Sequence, residues 1–304
     1  MKFKYLLYKY AKKLEVDYYK PFIKKFKINR LYKESLENYE ALKSYIDVSK
    51  MKKATGKLRE VQLQFLDFAL EIQNLLKKDL EITPILGFGN LLGAVRHGGF
   101  IPWDDDFDFL LMREDFEKLV SYMIQKGLYF TAKKGKEVDK ILRDNPNKLI
   151  AVHNYDMLCI FKGTSTEDCV QIDFFPMDFY KESLPFKELR QYASYLKEEM
   201  FYINSFKGWF DFIRKELKTS KYLTNKSNKI FWGIDSMTLY ETVLRFNIAT
   251  NFFSYDDIFP LVKLPYENTE FWAPRNYEKV LNEMFGSNWM EIPASVLTKH
   301  GRGR

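Results

Sequence analysis

The chain has 304 residues, enough to bury a large core, and its 46% hydrophobic and 17% aromatic content excludes a disordered protein. Its two cysteines, Cys159 and Cys169, are too few for a disulfide framework or a cysteine-rich zinc site, and we expect reduced thiols in a cytoplasmic protein. No apolar run reaches the roughly 18 residues of a membrane-spanning helix, and the N-terminus lacks the apolar stretch of a secretory signal.

The positive charge of the chain is concentrated at its N-terminus. The formal net charge is +7, but residues 1–30 alone carry ten Lys and Arg against two acids. The first twenty residues are typical of an amphipathic helix, closed by Pro21. Its apolar face would consist of Phe3, Leu6, Leu7, Tyr10 and Leu14. Two interpretations stay open: the helix lies on an anionic membrane surface, or it packs on its own domain with a solvated lysine face.

Apolar spacing in steps of three and four predicts a long helix over residues 57–80. The segment "EITPILGFGN" predicts a short strand that ends in a glycine turn, and Asn90 is a candidate cap for a short helix over Leu91–Arg96. After Pro102 the alternation of "DFDFLLM" predicts a strand over Asp106–Met112, and "REDFEKLVSYMIQKG" predicts a helix that ends near Gly127.

The second half of the chain mixes both kinds of element. Strands are predicted in "KLIAVHNYDMLCIF" and "CVQIDFFPMDFY", helices over 184–217 (divided near Gly208) and 237–253, and a last helix before Gly286. This mixture predicts an α/β or α+β fold with a largely helical C-terminal portion. We expect a basic segment at 1–50, a catalytic core at 51–180, and a mainly helical portion at 181–304 that completes the same domain.

Four aspartates follow the glycine turn within five positions: Asp104, Asp105, Asp106 and Asp108. On a strand, Asp106 and Asp108 would stand on one face about 6.5–7 Å apart, a pair of hard oxygen ligands suited to Mg²⁺ or Mn²⁺. A solvated acidic loop is the alternative, and it accounts better for Asp104 and Asp105, which follow Pro102-Trp103. Asp173 is the best third carboxylate because it lies in an apolar strand, where an unligated charge is costly. Asp178 follows a proline and is expected in a loop or cap.

The glycines allow the backbone to approach a ligand closely, and a helix that starts at Asn90 offers free N–H groups to a phosphate. Arg96 and His97 lie at the end of that helix and are candidates for phosphate contact. A hydrogen-bonded structural histidine is the alternative for His97.

The segment "GFGNLLGAVRHGGFIPWDDDFDF" resembles the signature of the LicD family, within the nucleotidyltransferase-fold superfamily. The matching features are Gly89-Asn90, the Asp-x-Asp of Asp106 and Asp108, and a single acid at Asp173. Asn90 stands where the superfamily motif has serine. The late segment "FWAPRNYEKVLNEMFGSNW" is similar to the family's closing element, so the resemblance covers about residues 60–292.

The resemblance implies a nucleotidyltransferase-like mixed sheet flanked by helices and a metal-dependent transferase. It implies transfer of phosphocholine or ribitol phosphate from a CDP-linked donor to a hydroxyl of a cell-surface glycan, of the capsule, teichoic acid or lipopolysaccharide kind. Asp106, Asp108 and Asp173 would hold Mg²⁺ or Mn²⁺, with Asp173 also a candidate base. Gly89, Asn90, Arg96, His97 and Lys148 would bind substrate.

Other functions stay open at this point. The same carboxylates would serve a nucleotidyltransferase that uses an NTP, and a non-catalytic peripheral membrane protein with a structural cation is a further alternative. A nucleic-acid partner is not expected, because the aromatic residues lie in apolar periodic runs and the chain after residue 30 is nearly neutral. The expected partners are a CDP-alcohol, a glycan acceptor that can be lipid-linked, and an anionic surface if the basic helix binds one.

Overall fold

The computed structural model of the chain describes residues 38, 46–132, 135–154, 157–181, 184–203, 206–245 and 252–292. The amphipathic helix predicted over the first twenty residues lies outside them. The chain divides into two compact units, one of residues 1–48 and 291–296, the other of residues 49–290 and 297–304. The sheet and the helices described below belong to the second unit.

The helices are numbered here in chain order. They are α1 (Gly56–Leu80), α2 (Phe88–His97), α3 (Arg113–Gln125), α4 (Gly135–Asp144), α5 (Phe186–Tyr202), α6 (Phe206–Thr219), α7 (Met237–Tyr240), α8 (Tyr255–Ile258) and α9 (Tyr277–Phe285). A 3₁₀ turn covers Val48–Lys50, and a π-helical turn, Glu241–Arg245, follows α7. Among the described residues, no helix combines the length and the apolar character needed to cross a membrane.

The strands are numbered in the same way. They are β1 (Ile85–Leu86), β2 (Asp108–Met112), β3 (Tyr129–Thr131), β4 (Ile150–Asn154), β5 (Met157–Gly163), β6 (Cys169–Tyr180), β7 (Lys229–Trp232), β8 (Phe253–Ser254), β9 (Val262–Tyr266) and β10 (Thr269–Ala273).

Eight of the described strands form one mixed sheet. Strands β1, β2, β6, β5, β4 and β3 lie side by side in that order, with β7 paired to β6 and β8 to β7. Strands β2 and β6 run parallel, as do β3 and β4, while the other pairs in the sheet are antiparallel. Helices α1 and α3 pack against β6. The predicted class, a mixed sheet flanked by helices, is confirmed.

Helix α1 illustrates how apolar spacing builds this core. Phe65, Phe68, Ile72 and Leu76 recur in steps of three and four, and all four are buried. The helix ends at Glu81, which takes the left-handed conformation (φ 58°) and donates its backbone N–H to the carbonyl of Leu76. The helix predicted over 57–80 therefore begins one residue earlier and ends where expected.

Three features of the second half of the chain differ from the prediction. The break in the helical stretch falls between α5 and α6, and Gly208 lies inside α6 because the aromatic residues beside it pack into the core and outweigh its weak helix propensity. Of the helix predicted over 237–253, residues 237–245 are helical and Phe253 belongs to β8, while residues 246–251 lie outside the described part of the chain. The segment Lys229–Trp232, for which the sequence analysis predicted no element, is a strand that pairs with the end of β6.

Strands β9 and β10 form a separate hairpin that the sequence analysis did not predict. Its two-residue turn contains Glu267 with φ 57°, as tight hairpin turns require. The Glu267 carboxylate accepts hydrogen bonds from both Arg59 terminal nitrogens (2.9 and 2.7 Å), and its backbone N–H donates to Gly98 (2.7 Å). Burial alone would raise the pKa of Glu267, but the hydrogen bonds and charges of Arg59 and Lys53 lower it to about 2. The hairpin is thereby fixed to the glycine turn and to α1.

Candidate active site

Two aspartates meet at the point where β2 begins. Asp108 on β2 is the register partner of Asp173 on β6, and both are buried. Neighbouring strands lie about 4.8 Å apart, so the two carboxylates project side by side from one face of the sheet. We call Asp108 and Asp173 the acidic pair. Strand β2 starts two residues later than predicted, with Asp106 buried just before it.

The acidic pair continues a row of partners across the sheet. Asp173 pairs with Cys159 on β5, and Cys159 pairs with Val152 on β4. Register partners share a face, so these four side chains point the same way. Val152 and Cys159 belong to a small apolar cluster with Leu142 of α4. The pair thus lies at the border of a packed cluster, on a rigid part of the sheet.

The N-terminus of α2 lies over the same face. Phe88, its first residue, packs its ring against Phe175 at 4.8 Å, and Phe175 is two residues beyond Asp173 on the same face of β6. Just before the helix, the backbone N–H of Gly87 donates to the carbonyl of Asp108 (3.1 Å). The first intrahelical bond runs from Leu91 to Gly87, so the N–H groups of Phe88, Gly89 and Asn90 have no acceptor within the helix.

Phe88 itself has a positive φ of 36°, which is rare for a bulky residue. Its ring is held by Phe175 and by a stacked contact with Trp232 at 5.0 Å. Strain of this kind persists only where packing imposes it, and it gathers at functional sites. In the structure the helix begins at Phe88 with Gly87 as its cap, whereas the sequence predicted a start at Leu91 with Asn90 as the cap.

Asn90 lies inside α2 and is fully buried. Its Oδ1 accepts the backbone N–H of Asp108 at 2.7 Å, and its Nδ2 donates to the hydroxyl of Tyr266 at 3.1 Å. A weaker contact of 3.4 Å joins Nδ2 to the carbonyl of Asp106. The Asn90 side chain therefore connects α2 to the residues of the Asp-x-Asp motif. These three contacts of Asn90 are with protein groups, and its contact with substrate stays a prediction.

Two glutamines fix the surroundings of the acidic residues. Gln171, two residues before Asp173 on β6, donates its Nε2 to both carboxylate oxygens at 3.2 and 3.4 Å. Buried Gln62 of α1 donates to the carbonyls of Ile101 and Asp104, at 3.1 and 3.0 Å, and so holds the loop before β2.

Asp104 and Asp105 differ from each other and from the solvated loop expected for them. Asp105 is fully buried, which corrects that expectation. Asp104 is half-buried against the first turn of α2, where a Cβ at Gly89 would lie 2.5 Å from its Oδ2. A carboxylate at a helix N-terminus is favoured by the helix dipole. Only glycine fits at position 89 with the carboxylate in that place.

Arg96 and His97 lie at the other end of α2, about 12 Å along the helix axis from Phe88. The Arg96 Nε donates to the Nε2 of His97 (2.9 Å), and its Nη1 donates to the carbonyl of Trp289 (2.9 Å). Burial lowers the pKa of Arg96, and the charge of Asp104 partly offsets this. The structure brings Arg96 and His97 together with each other, while their contact with a phosphate stays a prediction.

Lys148 is exposed in the turn before β4. It precedes Val152, a member of the row that contains the acidic pair, by four residues or about 13 Å along the strand. Two strand spacings separate β4 from β6. The backbone therefore places Lys148 well away from Asp173, and a substrate contact would need a ligand that extends across the sheet.

The carboxylate oxygens of the acidic pair are suited to a hard cation, whose remaining ligands would come from the substrate and water. Among the described residues, no three His, Cys, Asp or Glu side chains are gathered closely enough to hold a metal ion. The acidic pair still offers four carboxylate oxygens at adjacent positions. Mg²⁺ is commonly held by one or two carboxylates, with phosphate oxygens and water as the other ligands.

Sequence reasoning missed several residues that build this site. Gln171 was detectable, because it precedes Asp173 by two positions and shares its face. Tyr266 and Gln62 were not, because they act from segments 176 and 42 residues distant from their partners Asn90 and Asp104.

Comparison with known proteins supports the assignment of this region. Residues 81–186 match the family described as LicD/FKTN/FKRP, nucleotidyltransferase domain. The lipopolysaccharide cholinephosphotransferase LicD of Haemophilus influenzae is 43% identical over 76 residues, which is 25% of this chain and 28% of that protein. An uncharacterized protein of Rickettsia typhi is 33% identical over 101 residues, which is 31% of this chain and 28% of that protein.

The aligned part of the chain thus spans just over a quarter of the length of each of these relatives. The family match includes α2, the acidic pair and Asn90, so it covers the site described above. Residues 81–186 are therefore similar to the nucleotidyltransferase domain of the LicD family, in agreement with the motif resemblance found in the sequence.

Proposed function

We propose that this chain transfers a phospho-alcohol, phosphocholine or a polyol phosphate such as ribitol phosphate, from a CDP-linked donor to a hydroxyl of a cell-surface glycan. The observation that carries the proposal is the acidic pair in register on parallel strands, with the N-terminus of α2 beside it. The name of the Haemophilus relative supports choline phosphate as one candidate cargo.

The reaction follows from the chemistry of a diphosphate. The acceptor oxygen attacks the phosphorus that bears the alcohol, and the bond from that phosphorus to the bridging oxygen breaks. The bridging oxygen leaves with CMP, and the hydroxyl proton passes to a carboxylate. Phosphoryl transfer needs little covalent work from a protein, so positioning and charge stabilisation account for most of the rate.

The N-terminus of α2 suits the phosphates of the donor. The N–H groups of its first turn and the positive end of the helix dipole favour an anion. Gly87 has no side chain, which lets the helix start approach β2 closely; a Cβ there would meet Leu110 at 3.1 Å and the Cβ of Asp108 at 3.5 Å. A phosphate in this position would touch both the helix and the acidic pair.

In the proposed complex, Asp108 and Asp173 hold Mg²⁺ or Mn²⁺, and Asp106, buried just before β2, is a further candidate ligand. The metal would neutralise the phosphate oxygens and stabilise the charge that develops on them. Gln171 orients the Asp173 carboxylate, and Asn90 fixes the backbone of Asp108. Arg96, His97 and Lys148 remain candidates for more distant parts of the donor or acceptor.

The test is a donor screen on the full chain with Mg²⁺, Mn²⁺ or EDTA. CDP-choline, CDP-ribitol, CDP-glycerol, CDP-ethanolamine and the NTPs are supplied separately, with release of CMP and pyrophosphate measured. We expect metal-dependent release of CMP from one CDP-alcohol. Pyrophosphate release from an NTP would replace the proposal with nucleotidyl transfer, and no release from any donor would contradict an enzymatic function.

Two aspartate variants assign the released CMP to this site. Asp173→Asn is expected to reduce turnover at least about a thousandfold, since it removes one of the two adjacent carboxylates. Asp104→Asn is the matched control, because that carboxylate is only half-buried and lies in the loop before β2 rather than in an apolar strand, and we expect a loss of less than about tenfold. Equal losses in the two variants would mean that Asp173 has been wrongly chosen.

A further inference from the structure

A cavity lies between α5, α6 and the turn that follows α6. Its volume is about 250 Å³, and its wall includes Tyr192, Tyr195, Glu216, Lys221 and Tyr222. Sites for drug-sized ligands are usually about 300–1,000 Å³, while a water molecule takes about 30 Å³ in the liquid. The cavity therefore suits a compact ligand, larger than water and smaller than a nucleotide.

The wall has a negatively charged group in the carboxylate of Glu216, which is only 6% exposed. Tyr192 donates its hydroxyl to Oε2 at 2.9 Å, and Tyr195 donates to Oε1 at 3.2 Å. None of the ion pairs within the described part of the chain involves Glu216. Two neutral hydroxyls thus solvate the carboxylate and leave its charge facing the cavity region.

The tyrosines keep their protons beside this carboxylate. Burial raises the pKa of Tyr192 and of Tyr195, and the charge of Glu216 raises both further. Exposed Glu199 acts on Tyr195 in the same direction. The wall is therefore aromatic, neutral at its hydroxyls, and set in a negative field.

The aromatic faces are arranged for contact with a cation. The rings of Tyr192 and Tyr195 are nearly parallel at 6.2 Å, and Tyr192 and Tyr222 are 4.6 Å apart. The ammonium of Lys221 already lies 4.8 Å from the centre of the Tyr222 ring. The wall thus contains one cation–π contact made by the chain's own lysine.

We propose that this cavity binds a quaternary ammonium group. Such a group carries a positive charge on an apolar surface, so it gains from aromatic faces and from a nearby carboxylate without donating hydrogen bonds. A primary ammonium has three N–H donors to satisfy. Each oxygen of Glu216 already accepts one tyrosine hydroxyl, so the carboxylate has too few acceptor sites left for all three donors, and a primary ammonium is the poorer ligand.

The cavity is a separate site from the acidic pair. The carbonyl of Tyr222 accepts the N–H of Lys181, the residue that follows β6. Asp173 lies seven residues before the last residue of β6, Tyr180, which is about 23 Å along the strand. The ligand held here is therefore not the group that reacts at Asp173, and its binding is measurable without any donor.

Titration calorimetry on the full chain with choline chloride tests the proposal, with sodium chloride at equal ionic strength as the background. The neutral isostere 3,3-dimethylbutan-1-ol, in which carbon replaces the charged nitrogen, is the matched ligand. We expect saturable binding of choline and at least about tenfold weaker binding of the alcohol. Equal affinities would show a merely apolar cavity and overturn the proposal, as would the absence of choline binding.

Variants then locate the site. Glu216→Gln keeps a hydrogen-bond acceptor for one tyrosine but removes the charge, and we expect choline affinity to fall about tenfold or more. At Tyr195, replacement by phenylalanine keeps the aromatic face, whereas leucine removes it. The Phe variant should bind within about threefold of the wild type and the Leu variant several-fold more weakly. Equal effects of the two substitutions would rule out the cation–π contact.

Lys221→Gln should increase the affinity for choline, a result that misfolding of the variant cannot produce. Lys221 is exposed, and its ammonium both repels a bound cation and occupies the Tyr222 face. Its removal should tighten choline binding about threefold to tenfold. Unchanged or weaker binding in Lys221→Gln, with the thermal midpoint retained, would place choline outside this cavity.

Discussion

The two ends of the β2–β6 strand pair carry carboxylates with different kinds of partner. At the start of β2, the described contacts of the acidic pair include neutral amides: Asn90 binds the backbone of Asp108, and Gln171 binds the carboxylate of Asp173. Just past the other end of β2, Arg113 forms bidentate pairs with both Asp178 and Asp235, at 2.6–3.1 Å. We call Arg113, Asp178 and Asp235 the arginine network.

The arginine network completes its own hydrogen bonding. Burial alone would lower the pKa of Arg113, but the charges of Asp178 and Asp235 raise it well above its ordinary value. A backbone donor, the N–H of Ile234, also binds Asp178, at 2.8 Å. Planar guanidinium and carboxylate groups in this geometry leave no place for an exchangeable ligand. The same strand pair thus combines a closed charge cluster that supports the fold with an amide-oriented pair that, in our proposal, serves a bound metal and substrate.

The largest expected effect is on turnover at the acidic pair. Asp108→Asn should reduce metal-dependent CMP release at least about a thousandfold, because it removes a proposed metal ligand. It should leave the free energy of unfolding unchanged or slightly higher, because it relieves repulsion with Asp173. Turnover is measured with saturating Mg²⁺ or Mn²⁺, and stability by urea unfolding in EDTA. Wild-type turnover, or loss of folding, would contradict the division of roles between the two ends.

The next effect is on stability at the arginine network. Arg113→Met should lower the free energy of unfolding by about 3–5 kcal/mol, because it leaves two buried carboxylates without their counter-charge. The control is the triple variant Arg113→Met, Asp178→Asn, Asp235→Asn, which removes the uncompensated charges as well. We expect it to recover at least half of the loss in the same urea experiment. A triple variant no more stable than the single one would show that packing, rather than charge, is what Arg113 provides.

The contrast between the ends also marks what a sequence can reveal. The acidic pair was accessible because alternation on a strand and a charge within an apolar run are local patterns. Asp178 was expected in a loop or cap, yet it lies within β6 and is 2% exposed. Its buried position depends on Arg113, sixty-five residues earlier, and nothing in the neighbouring residues indicates such a partner.

The same limit applies to the position of elements. Helix α1 and the mixed sheet follow from periodicity, whereas the β9–β10 hairpin and the start of α2 depend on contacts between distant segments. From the sequence, Asn90 is predicted to cap a helix, because its amide suits that position. In the structure its partners are Asp108 and Tyr266, and Gly87 takes the cap position instead.

A smaller effect concerns the pH dependence of stability near the arginine network. Burial lowers the pKa of His153 to about 4, with the charge of Asp235 opposing this and that of Arg113 adding to it. The neutral ring lies 2.9 Å from the Tyr129 hydroxyl. The unfolded chain binds a proton near pH 6.5 and the folded one only near pH 4, so stability is complete above pH 6.5 and falls as the pH is lowered through this window.

Between pH 7 and pH 5 this histidine should account for a loss of about 2 kcal/mol in the free energy of unfolding. His153→Gln keeps a polar partner for Tyr129 and removes the titrating group. We expect urea unfolding of this variant to show a correspondingly smaller difference between the two pH values. The range from pH 7 to pH 5 lies above the titration of Glu267, because the pKa of about 2 of this residue confines its effect on the free energy of unfolding to lower pH. An unchanged pH difference would mean that His153 is protonated alike in the folded and unfolded chains.

The last expected effect concerns Asn90, and it divides between stability and the metal requirement. Asn90→Ala would leave the buried Asp108 N–H without its acceptor, at a cost of about 1–3 kcal/mol, and would release the backbone that aims the Asp108 carboxylate. We expect the metal concentration for half-maximal turnover to rise about tenfold. Asn90→Ser, which restores the serine of the superfamily motif, keeps one acceptor oxygen, so its stability and metal requirement should fall between those of Asn90→Ala and the wild type.

Tyr266→Phe is the matched control, because it removes the other partner of Asn90 and leaves the Asp108 contact in place. It should lower stability by about 1 kcal/mol and leave the metal requirement unchanged. If Tyr266→Phe raises the metal requirement as much as Asn90→Ala does, Asn90 only supports the fold, and the amide-oriented end of the strand pair is not specifically prepared for a metal.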